Sequence, residues 1–370
     1  MKLKHIAAEI NKIAPLKLAL DWDNVGLLIG SENAEVKKVL LTIDVTKGVV
    51  AEAKKLGCDT ILSYHPVIWD GLKRITAEGE TSHIYDLVKS GINVFSFHTA
   101  FDMAVGGVND SLAKIVGMEN AEPIGDFVDS PEGDYLKVIT FVPAEDVNKV
   151  ADAMFKAGAG AIGNYSSCSF QSQGTGTFLP LEGANPAIGK KGKLEKVNEI
   201  KLESIVPEAK IEAVIEALKN SHPYETPAFD IFRQYSVGGK FGLGRIGKLS
   251  KPKSLTDIIA NIKKVTGAKA VGLIGPEKRT IKTAAVCAGS CGKIINSVIA
   301  NGTDLYLTGE IKHHQALMAQ EAGMTCICLS HTVSERFALK NLAKMLKKEL
   351  KDVTIAVSKK DADPFKWKCL

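Results

Sequence analysis

A strand–helix–strand pattern occurs twice in this chain, far apart, and it limits the fold more than any other feature. Lys38-Val39-Leu40-Leu41-Thr42-Ile43-Asp44 is a continuous apolar run of strand length, Lys47–Leu56 is helix-like, and Thr60-Ile61-Leu62-Ser63-Tyr64-His65-Pro66 is a strand closed by proline. Downstream, Thr283–Gly289 reads as a strand, Lys293–Asn301 as a helix and Gly302–Thr308 as a strand. Gly57 and Asp59 stand 245 positions before Gly302 and Asp304, and Val39–Ile43 falls on Ala284–Ala288 without a gap. Strands separated by helices predict βαβ units and a largely parallel sheet. Self-similarity at one offset predicts a duplicated α/β unit, here one duplicated sheet with a pseudo-two-fold relation.

The pairing continues with a small shift. Gly91–Phe97 is an apolar strand that leads into His98-Thr99-Ala100-Phe101-Asp102. Gly323–Leu329 leads, after Ser330, into His331-Thr332-Val333-Ser334-Glu335. Each half therefore ends a strand in His-Thr-x-x-acid. In open α/β sheets ligands bind at the carboxyl ends of strands. Three of the eight histidines, His65, His98 and His331, follow strands directly, and Asp102 and Glu335 accompany them. A histidine and an acid four residues apart share one helix face. Imidazole with carboxylate suits Zn, Fe, Mn or Ni, and carboxylates can bridge two ions. Any one of these histidines could equally be a satisfied structural residue; the repetition favours the metal. His313 and His314 read either as orienting partners of the same cleft or as a solvated helix start.

Between the halves the texture changes. Asp134–Pro143 reads as a strand, Ala144–Ala157 as an amphipathic helix, Lys201–Pro207 as a strand and Ile211–Asn220 as a helix, followed by His222-Pro223-Tyr224-Glu225 and Phe229-Asp230-Ile231. A Gly-rich stretch runs through Gly174, Gly176 and Gly183. This pattern is of ferredoxin type and long enough to fold alone. The expected division is a core of residues 1–128 and 237–370 interrupted by an inserted domain at 129–236. A length of 370 residues suits such an arrangement, at roughly 150 residues per domain.

Other function classes find little support. The net charge of +5 is small for the length, so no nucleic-acid face is expected. No GxxxxGK[ST] occurs, which excludes a Walker-type loop. Gly289-Ser290-Cys291-Gly292-Lys293 is either an anion site at a helix start or a tight turn. No apolar run reaches the length of a membrane span, and the N-terminus lacks a signal peptide's apolar segment, so a cytoplasmic protein is expected. The seven cysteines show no framework spacing, and reduced thiols are expected.

Taken together, Asp21-Trp22-Asp23-Asn24-Val25-Gly26-Leu27, Ser63-Tyr64-His65-Pro66, His98 through Asp102 with Gly107-Val108-Asn109, Thr308-Gly309-Glu310-Ile311-Lys312, and Ser330-His331 through Glu335 resemble one family. It is the dinuclear-metal-centre hexamer proteins, the NGG-one-interacting-factor-three-like family, often labelled GTP cyclohydrolase 1 type 2 homologs. The middle segment resembles the insertion of many bacterial members in Gly163-Asn164-Tyr165-Ser166, Gly174 to Pro186, and His222 to Glu225. The resemblance implies a duplicated α/β core with a central metal site, a PII/CutA-like insertion and a toroidal homohexamer. It also implies two divalent metal ions (Zn, Fe or Mn), with His65, Asp102, His331 and Glu335 as ligands by position. Where the family usually has the first histidine of a pair, this chain has Tyr64, which leaves the second ion less well provided. The function expected is a metal-dependent hydrolase of a nucleotide or phosphoester, with His98 as the catalytic proton carrier. The alternative is a non-catalytic metal-binding ring acting as scaffold, chaperone or regulator.

Overall fold

A computed structural model describes residues 1–128, 135–163, 165–234 and 241–366. The described residues between 135 and 234 form one compact unit, and those on either side form the other. The expected boundaries at 128/129 and 236/237 fall at or inside stretches outside the described residues.

In the outer unit the apolar runs form two sheets rather than the single duplicated sheet expected. The first has the order Gly26–Ile29, Asn93–Ser96, Thr60–Ser63, Lys38–Thr42, Thr354–Val357, parallel except for the Gly26–Ile29 edge. The second has the order Gly272–Ile274, Thr325–Cys328, Leu305–Thr308, Thr280–Cys287, Phe241–Ser254, Met118–Val128. Its middle three strands are parallel and the others antiparallel. The separation has a cause in the chain: the long antiparallel strands Phe241–Ser254 and Met118–Val128 occupy the edge of the second sheet, and the chain end, as Thr354–Val357, takes the edge of the first.

The central strands are apolar on both faces because both are covered. Val39, Leu41 and Leu62 point into the main core, while Leu40, Ile61 and Val94 meet Val49, Ala53 and Leu87 of the helices Lys47–Leu56 and Ser82–Lys89. Thr46 caps the first of these helices by accepting from Val49 N, and Gly57 ends it in the left-handed conformation.

The 245-residue offset is also a hydrogen-bond register. Val39 pairs with Thr60 as Ala284 pairs with Leu305, and Thr42 with Ser63 as Cys287 with Thr308. The Asp59 carboxylate accepts from Lys37 N and Lys38 N at 2.7 and 2.8 Å, and Asp304 accepts from Lys282 N and Thr283 N at 2.9 and 3.0 Å. The small shift before the histidines is one extra residue. Ser330 N bonds Gly309 O where His98 N bonds Tyr64 O, and Ser330 takes a φ of 76° to absorb the insertion before the helix His331–Arg336 starts. Its counterpart is the helix His98–Met103.

Two buried polar residues join the segments that precede and follow the inserted unit. Asn109 donates to Leu243 O at 2.7 Å and accepts from Ala288 N at 2.8 Å. Arg245 bonds Asp110 and the carbonyls of Gly242, Gly244, Met103 and Ala104. The helix Leu339–Glu349 buries Leu339, Leu342 and Leu346 and leaves Lys340, Lys344, Lys347 and Lys348 in solvent, an ordinary solvated face. The sulfurs of Cys287 and Cys291 stand side by side, a proximity that their spacing of four did not suggest. Cys58, Cys168, Cys326 and Cys328 are free.

The inner unit runs strand Tyr135–Pro143, helix Val147–Ala157, strands Ser169–Phe178 and Glu195–Pro207, helix Ile211–Ser221 and strand Phe229–Arg233. Its antiparallel sheet has the order Ser169–Phe178, Glu195–Pro207, Tyr135–Pro143, Phe229–Arg233. Val138, Val142 and Leu202 pack on Val150, Met154, Val214 and Leu218 of the two helices. The Gly-rich stretch therefore includes a ten-residue strand that its composition concealed. No helix among the described residues is long and apolar enough to cross a membrane.

Candidate metal centre

The strand ends place the site. His65 follows Thr60–Ser63, Asp44 follows Lys38–Thr42, and His331 and Glu335 belong to the short helix after Thr325–Cys328. Ligand atoms of His65, His331 and Glu335 all lie within 4.8 Å of one another. His331 Nε2 is 3.2 Å from Glu335 Oε1, the i,i+4 geometry of a helix, and His65 Nε2 is 3.5 Å from Glu335 Oε2.

Each histidine is held from behind. His65 Nδ1 contacts Asp44 Oδ1 at 2.8 Å, and His331 Nδ1 contacts Glu310 Oε1 at 2.9 Å. A carboxylate on Nδ1 sets the tautomer that leaves Nε2 free to bind a metal. Glu335 is only 2% exposed, and among the described residues its Oε2 has no hydrogen-bond partner nearer than His65 Nε2 at 3.5 Å. Gly289 completes the cradle. At a φ of +69° it brings backbone so close that a Cβ there would stand 2.6 Å from Glu335 Oε1 and 3.4 Å from His331 Nε2.

The electrostatics follow from this packing. Burial pushes the Glu335 carboxyl up, but His331 and His65 outweigh it and hold the acid down at about 2. Burial pushes His65 down, and the bonds to Asp44 and Glu335 overcome it, raising the ring to about 10. Glu335 chiefly, with Glu310, raises His331 to about 9 against burial. Without a metal the cluster is thus two imidazolium rings around one carboxylate, and a cation bound there displaces their protons.

The other predicted site residues sit alongside. Asp102 is buried and accepts a hydrogen bond from the Tyr64 hydroxyl, so among the described residues it stands outside the close three-residue group. Burial raises Asp102 to about 7, with Glu335 adding to the shift. Tyr64 is fully buried, and burial with the Asp102 and Glu335 charges pushes its phenol far up, which disfavours phenolate. His98 lies with its ring 4.9 Å from that of His65, and its Nδ1 contacts Asp23 Oδ1 at 3.0 Å. Asp23 also accepts from Thr99 N and Oγ1. His98 and these bonds hold the Asp23 carboxyl below its usual range against burial. The rings of Trp22 and Trp69, both more than half exposed, flank His98 at 5.9 and 5.4 Å.

One open alternative closes here. His313 and His314 are exposed at the start of the helix His313–Glu321 and orient none of the three clustered residues. The orienting role belongs to Asp44 and Glu310, which the residue patterns did not single out. The repeat contained a signal for one: Glu310 stands 245 positions after His65.

The sequence pattern of the Duf34/NIF3 (NGG1p interacting factor 3) family matches residues 1–364. The chain belongs to this family. A relative from Halalkalibacterium halodurans described as "GTP cyclohydrolase 1 type 2 homolog" is 36% identical over 356 residues, covering 95% of each chain. One of the same description from Staphylococcus epidermidis is 35% identical over 372 residues, covering 100% of both chains. Among solved structures, a Bacillus cereus protein related to NIF3 matches with a TM-score of 0.87 at 34% identity, over 100% of this chain and 99% of that one. This Duf34/NIF3 member thus shares its mixed α/β fold with its relatives, and its candidate metal group is His65, His331 and Glu335.

Proposed function

We propose that this Duf34/NIF3 protein is a metal-dependent hydrolase of a nucleotide derivative or another phosphoester. The observation that carries the reading is the buried Glu335 carboxylate set between two imidazoles, Oε1 3.2 Å from His331 Nε2 and Oε2 3.5 Å from His65 Nε2, with each Nδ1 already occupied by a carboxylate. Two imidazoles fixed from behind around one buried carboxylate form a preorganised ligand set for a cation. His65, His331 and Glu335 would hold the ion, and Asp102 would flank it. When bound, a divalent ion of the Zn, Fe or Mn type supplies Lewis acidity toward an electrophilic carbon or phosphorus.

The remaining roles belong to the chain. Asp44 and Glu310 orient the two ligand rings. Asp23 holds His98 by Nδ1, leaving Nε2 to carry a proton to or from the substrate. Trp22 and Trp69 offer exposed aromatic faces beside His98 on which a planar base could stack. Tyr64, donating to Asp102, makes the second ion of the expected pair the weaker one.

A second reading rests on the inner unit. Its order of strand, helix, two strands, helix and strand, with the fourth strand beside the first, supports a ferredoxin-like insertion, a scaffold separate from the metal residues. It favours a metal-binding homohexameric ring that acts as scaffold, chaperone or regulator. One experiment separates the readings. Elemental analysis should find at least one transition metal per chain in the wild type and none in His331→Ala/Glu335→Ala; equal content would remove the site. A hydrolysis panel should then contain a nucleotide or phosphoester turned over faster by wild type than by that variant. If none is, the ring reading replaces the enzyme.

A further inference from the structure

The inner unit holds a cavity that the metal chemistry does not use. It measures about 600 Å³, within the roughly 300–1,000 Å³ range of small-molecule sites. It lies against the sheet strands Ser169–Phe178 and Glu195–Pro207 and is bordered by residues 179–188 and Tyr224–Thr226. Asn185 N donates to Glu225 Oε1 at 3.0 Å and ties these two borders together.

Glu199 lines this cavity although its residue is only 8% exposed. Its one hydrogen-bond partner among the described residues is the Tyr224 hydroxyl at 2.9 Å, and it has no ion-pair partner among them. The neighbouring cation, Lys201, is engaged 2.5 Å away by Glu203. A buried carboxylate is normally paired with a cation or several donors, and this one keeps acceptor capacity directed at a cavity.

The walls are shaped for a flat ligand. Gly174 lies mid-strand with an ordinary φ, and a Cβ built on it would meet nothing within 4 Å, so no steric need calls for glycine. A bare strand surface admits close approach of another group. Phe178 and Tyr224 border the cavity with ring centroids 5.8 Å apart. Tyr224 is itself fixed: its backbone N–H donates to His222 Nδ1 at 3.1 Å, and His222 Nε2 bonds Phe141 O at 3.0 Å. That arrangement requires the Nε2–H tautomer of the neutral ring, and burial lowers its proton affinity accordingly.

We propose that the inserted unit binds a planar ligand presenting two N–H donors on one N–C–N edge, with Glu199 accepting from that edge and the Gly174 strand surface lying along its face. A carboxylate and such an edge form parallel, geometrically specific hydrogen bonds. The edge occurs in guanidinium compounds and in aminopyrimidinone rings, and the experiment tells these sources apart.

Calorimetric titrations of the full chain with agmatine, guanosine and adenosine test it. Agmatine or guanosine should bind saturably, and whichever binds names the source; adenosine, which lacks the edge, should bind at least tenfold more weakly. Glu199→Gln should weaken binding at least tenfold. Gly174→Val, which fills open space, should abolish it with an unchanged circular-dichroism spectrum. Absence of binding by both agmatine and guanosine overturns the proposal. So does wild-type affinity in Glu199→Gln or Gly174→Val.

Discussion

Gly289→Ala is the sharpest probe of the metal centre, because one methyl group tests backbone and site separately. Gly289 has a φ of +69°, a conformation that costs an L residue about 1–2 kcal/mol. The new Cβ would also lie 2.6 Å from Glu335 Oε1, where ordinary contact begins at 3.4 Å, so the carboxylate must retreat by roughly 0.8 Å. Glu335 has little freedom to do so, being buried and 3.2 Å from His331 Nε2. Displacing a ligand's support in this way typically weakens metal binding about 10–100-fold. Gly302→Ala is the matched control: its φ is +61°, and its Cβ would meet nothing within 4 Å. Urea unfolding of the metal-free proteins should show a loss of about 1–2 kcal/mol for Gly302→Ala and a larger one for Gly289→Ala, which also displaces the buried Glu335 carboxylate. Chelator-competition titrations should show weakened metal binding for Gly289→Ala alone. Wild-type affinity in Gly289→Ala, or an equal loss in Gly302→Ala, would refute the reasoning.

Asp44→Asn removes the charge that orients His65 and should cost about 10–100-fold in metal affinity by the same titration, with the fold retained. Tyr64→His, which restores a nitrogen ligand beside Asp102, should raise the metal found per chain by elemental analysis; an unchanged count would show that Tyr64 does not limit the second ion. In the metal-free protein, His65 at about 10 and His331 at about 9 lie above the ordinary 6.5, so their stabilisation is complete below pH 6.5 and is lost as pH rises through 9 to 10. Glu335 at about 2 lies below the ordinary 4.5, so its contribution is complete above pH 4.5 and is lost as pH falls through 2. The urea midpoints of wild type and Glu335→Gln should therefore differ most between those limits and converge near pH 10; a constant difference would contradict the cluster's charge state. Asn109→Ala strands Ala288 N–H and Leu243 C=O in the interior, and urea unfolding should show a loss of about 1–3 kcal/mol for each group left unpaired.

The strands of the outer unit were legible because they are apolar on both faces, which leaves a continuous run in the sequence. Their duplication was legible because register is a sequence offset: once Val39 aligns with Ala284, the pairing of Thr60 and Leu305 follows. The strand Ser169–Phe178 was not, since its Gly, Ser and Gln residues are mostly exposed and produce no burial pattern. Nor was the edge strand Thr354–Val357, whose pairing with Lys38–Thr42 spans most of the chain and depends on where the helix Leu339–Glu349 delivers it. The orienting roles of Asp44, Glu310 and Asp23 were not legible for a different reason. A carboxylate at a strand end resembles any solvated turn residue until the imidazole it orients is seen.

By itself the sequence determined the period of the core, the interruption in its middle and the residues that close the strands, because burial pattern and spacing are one-dimensional properties. Only the tertiary structure decided that there are two sheets, that Asp102 turns to Tyr64, and that His65, His331 and Glu335 meet. Whether ligand atoms meet depends on side-chain direction across turns, on the backbone space left by Gly289 and on the single extra residue Ser330, and none of these is written in a residue count.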